Sequence, residues 1–162
     1  MKQIRLRRLC SCAIVAALYA VITILSAPIS YQAVQFRLSE ALMVLCWFRP
    51  WLGVGLTLGC FVANLFSTVT ALDMIIGTVA TALACLWTAR CKRPWLVPLP
   101  AVVCNAVLVG AMLALVLTPQ QPISGFVLFG AQVGLGEAAV MYLLGMPLLF
   151  FLKKSKTLDR VL

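Results

Sequence analysis

Histidine is absent from this chain, and only four residues carry a side-chain carboxylate, against thirteen lysines and arginines. Without histidine, and with seven cysteines that nowhere form a CxxC pair, the usual metal-ligand sets are missing. No metal and no other cofactor is therefore expected. Nor does the chain contain a GxSxG, HExxH or GxxxxGK(S/T) motif. These absences remove common hydrolase signatures and any phosphate-cradling loop for ATP, so no enzymatic activity is expected of this chain alone.

Charged residues are only 10% of the total, whereas 64% are hydrophobic and the mean hydropathy is +1.08. Soluble domains lie nearer roughly 45–50% apolar. The composition implies an all-α integral membrane protein, one compact domain over residues 1–162, in the plasma membrane. A net charge of +9 suggests nucleic-acid binding until the charges are located. Lys2, Arg5, Arg7 and Arg8 precede the first apolar run, Arg49 ends the second, Arg90, Lys92 and Arg93 separate two runs, and Lys153, Lys154, Lys156 and Arg160 follow the last. Charge clustered between hydrophobic spans reports topology, so no nucleic-acid partner is expected.

Six helices follow from the apolar runs and their breakers, at about 9–27, 37–48, 51–67, 73–89, 95–117 and 123–152. The basic stretch before residue 9 and the apolar core behind it resemble a signal peptide. The apolar run is of span length, however, and Pro28 follows the small-residue site at Ala27, so a first transmembrane helix is expected. Six spans with both termini cytoplasmic leave Arg37 alone among the cations on the outer side.

The polar residues within this hydrocarbon define a candidate site. Arg37 and Glu40, three apart, would share a helix face within pairing reach. Ser39 and Glu40 also suit a helix N-terminus, and Thr70 with Asp73 resembles a capping box. Neither reading explains Gln35 or Arg37. Asn64, Asn105 and Glu137 complete the set, and Glu137 has no capping role in mid-span. Gln35, Arg37, Glu40, Asn64, Asp73, Asn105 and Glu137 are thus expected to converge on a small-molecule pocket open to the outside. Ala16-x-x-x-Ala20 and Gly55-x-x-x-Gly59 are close-packing stripes, internal or external.

Several blocks together resemble the QueT family: Ala27-Pro28-Ile29-Ser30, then Gln35-Phe36-Arg37-Leu38-Ser39-Glu40-Ala41-Leu42, and Gly55-Leu56-x-x-Gly59-Cys60-x-x-Ala63-Asn64-Leu65. Asp73-x-x-x-Gly77-Thr78-x-x-Thr81 and Gly136-Glu137 extend the likeness from about residue 12 to 145. These are substrate-binding (S) subunits of energy-coupling factor transporters for queuosine precursors. The resemblance implies a six-helix subunit that captures a 7-deazaguanine outside the cell. It implies docking through Ala16 and Ala20 onto a transmembrane T subunit carrying two cytoplasmic ATPase subunits, with residues 28–36 as the gate. A 7-deazaguanine presents an N–H and amino edge for one carboxylate, a 6-oxo group for a donor and, in the aminomethyl precursor, a cation for a second carboxylate. The assignment among Glu40, Asp73 and Glu137 stays open. So do a proton-coupled carrier working through Glu137, an S subunit for another vitamin or nucleobase, and a non-transporting scaffold.

Overall fold

A computed structural model describes residues 2–26, 36–67 and 71–155. Among these, six helices account for the architecture: α1 (Lys2–Leu25), α2 (Leu38–Phe48), α3 (Leu52–Asn64), α4 (Ala71–Thr88), α5 (Pro94–Leu117) and α6 (Pro122–Ser155). The all-helical reading holds, with differences at the boundaries. α1 starts at Lys2 rather than near Leu9, because lysine and arginine are good helix formers and the exposed turns bearing Arg5, Arg7 and Arg8 extend the helix past its apolar run. α2 is mostly not α-helix: Leu38–Val44 is a 3-10 helix and only Leu45–Phe48 is α-helical.

The helices fall into two length classes. α1, α5 and α6 are long and apolar enough to cross a membrane, whereas α2, α3 and α4 are shorter apolar helices. The 13 residues of α3 rise about 20 Å, less than a hydrocarbon core of roughly 30 Å. The ends of the short helices therefore lie at depth, where polar backbone must be covered by protein. Around them the long helices present leucine and isoleucine outward, as at Leu25, Ile123 and Leu143, forming the apolar surface a bilayer requires.

Two glycine-mediated crossings set the packing. A Cβ on Gly55 would stand 2.5 Å from the Cys12 carbonyl oxygen, and one on Gly59 2.6 Å from that of Ala16, so α1 and α3 touch backbone to backbone. A Cβ on Gly110 would stand 2.6 Å from the Gly130 Cα, which brings α5 equally close to α6. One apolar core joins Tyr19, Met43, Leu52, Leu56, Ala84 and Met141, and a second joins Ala80, Val109, Met112, Leu113 and Val133. α5 and α6 each contain a π turn, at Asn105–Val109 and Met141–Gly145. Such turns break helical regularity and recur at functional sites.

Candidate functional site

The start of α2, the end of α3 and the start of α4 meet on a buried ion pair. Arg37 Nη2 donates to both oxygens of Asp73, at 3.0 and 3.1 Å, and both side chains are at most 2% exposed. The expected pairing of Arg37 with Glu40 is therefore replaced by pairing across helices. The 3-10 geometry of α2 turns Glu40 toward α1 and α4 instead. Ser67 donates to Asp73 Oδ2 at 2.7 Å, and Asn64 Nδ2 donates to the Asp73 carbonyl oxygen at 3.2 Å. Gly77 makes room for this cluster. A Cβ there would stand 2.8 Å from Asn64 Nδ2, 3.2 Å from Asp73 Oδ1 and 3.3 Å from Arg37 Nη1.

Glu40 joins the same network from the other side. The Tyr19 hydroxyl donates to its Oε1 at 2.5 Å, and the Thr81 hydroxyl lies 3.3 Å from the same oxygen. Cys60 Sγ sits between the two halves, 3.2 Å from Thr81 Oγ1 and 3.4 Å from Asn64 Nδ2. Ser39 does not cap α2: its hydroxyl bonds that of Thr23 at 2.6 Å, tying α2 to α1. Thr81 belongs to the family-like block Asp73-x-x-x-Gly77-Thr78-x-x-Thr81, whereas Tyr19 and Thr23 carry no distinctive sequence signal, because within an apolar run they read as packing residues. The one available hint is that a buried tyrosine hydroxyl normally needs a partner.

The remaining predicted residues are placed differently. Asn105 opens the π turn of α5 and Glu137 lies in α6, at 3% and 2% exposure. Among the described residues, neither atom of the Asn105 amide finds a hydrogen-bond partner, nor does Glu137 Oε1. Glu137 is within electrostatic range of Glu40 and Arg37, so the α6 carboxylate belongs to the same interior. Glu40 Oε2 and Asn64 Oδ1 are likewise buried without partners, as is Oε1 of Gln132, which the sequence did not single out. Buried polar atoms normally find partners, so these unsatisfied groups set the interior apart from an ordinary core. Chemically the set offers carboxylate and amide acceptors and one amide donor group.

Gln35 and residues 28–35 of the expected gate lie outside the described residues, as does Thr70 of the expected capping box. Ala16 is partly exposed with its backbone against Gly59, and Ala20 is buried, while the exposed small residues beside them on α1 are Ala13 and Ala17. Among the described residues, no group of histidine, cysteine or carboxylate side chains is arranged to hold a metal ion.

The sequence profile described as QueT transporter matches residues 9–154. The chain belongs to the QueT transporter family. A relative from Lactococcus lactis subsp. cremoris (strain MG1363), the queuosine precursor transporter QueT, is 39% identical over 84 residues. That segment covers 50% of this chain and 48% of the relative, about half the length of each. No solved structure matches the chain. Family membership and the long apolar helices make this a multi-pass membrane protein of a transporter family.

Proposed function

We propose that this chain is the membrane-embedded substrate-binding (S) subunit of an energy-coupling factor importer, capturing a queuosine precursor from outside the cell. The ligand class is 7-deazaguanine: the aminomethyl or nitrile precursor, or the free base queuine. In this reading both termini are cytoplasmic, and α1 docks onto a transmembrane T subunit through the exposed small residues Ala13 and Ala17, because the expected docking residues Ala16 and Ala20 are turned inward, Ala16 against Gly59 and Ala20 buried. ATP hydrolysis belongs to two partner ATPase subunits.

The observation that carries the reading is the imbalance of the buried cluster. Among the described residues, three buried carboxylates, Glu40, Asp73 and Glu137, share the interior with one buried guanidinium, that of Arg37. Arg37 is committed to Asp73, which leaves Glu40 and Glu137 with an unpartnered oxygen each. A ligand that brings several N–H donors and a positive charge relieves this arrangement, and an aminomethyl 7-deazaguanine brings both. Asn105 and Asn64 add the amide groups that a 6-oxo and ring-nitrogen edge requires.

Calorimetric titration of the purified, detergent-solubilised chain with the aminomethyl 7-deazaguanine, against guanine, tests the reading. One-to-one binding that exceeds guanine binding supports it, with uptake in liposomes only when the T and ATPase subunits are present. The unpartnered carboxylate of Glu137 also suits a proton-coupled carrier. Uptake by this chain alone, driven by a proton gradient without ATP, would establish that alternative.

A further inference from the structure

The basic turn between α4 and α5 does more than mark one side of the membrane. A cavity of about 370 Å3 opens there, lined by Trp87, Arg90, Lys92, Arg93, Leu96 and Leu99 among others. Topogenic charge needs no cavity and no fixed backbone; it acts by its sign and position. This turn has both. Trp47 Nε1 donates to the Cys91 carbonyl oxygen at 2.8 Å, Cys91 N–H bonds Thr88 O at 3.1 Å, and Leu96 N–H bonds Arg93 O at 3.1 Å. Arg90 Nη1 is anchored on the Leu86 carbonyl oxygen at 2.8 Å. The cations are thus presented from a pinned turn.

The chemistry of the lining divides in two. Arg90, Lys92 and Arg93 form a cationic rim, and none of the carboxylates of the described residues, all buried in the interior cluster, lies among them. Trp87, Leu96 and Leu99 are 44%, 45% and 40% exposed, on the outer surface of a bundle whose surroundings are hydrocarbon. Trp95, 67% exposed and edge-on to Phe150 at 5.7 Å, marks the headgroup level beside them. Cations at headgroup depth over an apolar floor match a phosphate attached to acyl chains. A soluble acidic segment of another protein would use the rim and leave the floor unexplained.

We propose that this cavity binds an anionic phospholipid, its phosphate on Arg90, Lys92 and Arg93 and an acyl chain along Trp87, Leu96 and Leu99. The site is separate from the interior polar cluster and independent of what that cluster binds.

The test uses the full chain reconstituted in mixed phosphatidylcholine and phosphatidylglycerol, with retained lipid counted by native mass spectrometry. The expected result is preferential retention of phosphatidylglycerol, weakened about 25-fold in the double variant Lys92→Gln/Arg93→Gln, at roughly fivefold per cation. Leu99→Trp, which fills the floor and keeps every charge, should also displace the lipid. Unfolding midpoints in detergent identify any variant that fails to fold; for such a variant Arg90→Gln replaces the charge pair. Equal retention of phosphatidylcholine overturns the proposal, as does retention unaffected by the charge variants. Loss with the charge variants but not with Leu99→Trp reduces the effect to surface charge and overturns the cavity. Displacement of the lipid by inorganic phosphate or an acidic peptide at equal concentration would make the site one for a soluble anion or a protein, and likewise overturns it.

Discussion

Arg37 and Asp73, at the ends of the short helices α2 and α4, are buried and ion-paired, with Ser67 and Asn64 adding hydrogen bonds to Asp73. Asn105 and Glu137, within the long helices α5 and α6, are as deeply buried, yet Asn105 has no amide partner and Glu137 an orphaned oxygen. The same low-dielectric interior thus holds one polar group that is nearly complete and one that is not. Removing a member of a complete network exposes the cost of burying its partner, whereas an orphan has already lost its hydration and contributes nothing to folding that its removal would forfeit. The first half is a structural clamp that ties the shorter helices together. The second half is the one to which the proposed function assigns the ligand. Stability and binding should therefore separate along this division.

The largest effect is expected at the clamp. Asp73→Asn leaves the Arg37 guanidinium buried without its counter-charge and should lower unfolding stability in detergent by about 3–5 kcal/mol. An Asp73→Asn chain as stable as the parent would break the comparison. Next, Glu137→Gln keeps shape and removes charge. Ligand affinity should fall by about 1.5–3 kcal/mol, roughly 10- to 150-fold in a calorimetric titration, while the unfolding midpoint stays level or rises. A third substitution probes the scaffold beneath both halves. Gly59→Ala forces a Cβ against the Ala16 carbonyl oxygen and should cost about 1–3 kcal/mol of stability, read as a lowered midpoint. Smallest is Asn105→Ala, expected to reduce affinity by about 0.5–1.5 kcal/mol with stability nearly unchanged, which sharpens the comparison to a single neutral side chain.

How far the sequence alone reveals this arrangement depends on which physical signal each residue carries. Spans are written in apolar runs and basic clusters, so six helices could be counted before any coordinates. The polar residues stood out because charge is rare in such runs, and Arg37, Glu40, Asp73, Asn105 and Glu137 are all buried, with Asn64. The partnership of Arg37 with Asp73 across 36 positions was not legible, because pairing rules in sequence reach only one helical turn. The 3-10 form of α2 was hidden for a related reason. Its inward-facing Ser39, Glu40 and Ala41 are chosen by partners on other helices rather than by local propensity. Gln132 is not legible in the sequence because a lone glutamine in a long apolar helix carries no periodic signal, and the π turn at Asn105 leaves no pattern in residue type.

The measurement that bears most directly on the central claim is a ligand-bound structure of the chain with an aminomethyl 7-deazaguanine. The account predicts the base in the interior between α2, α5 and α6, with the Asn105 amide and the free oxygens of Glu137 and Glu40 within hydrogen-bond distance of it, and with the Arg37–Asp73 pair intact. A ligand seated elsewhere, with Asn105 and Glu137 still unpartnered, would contradict it.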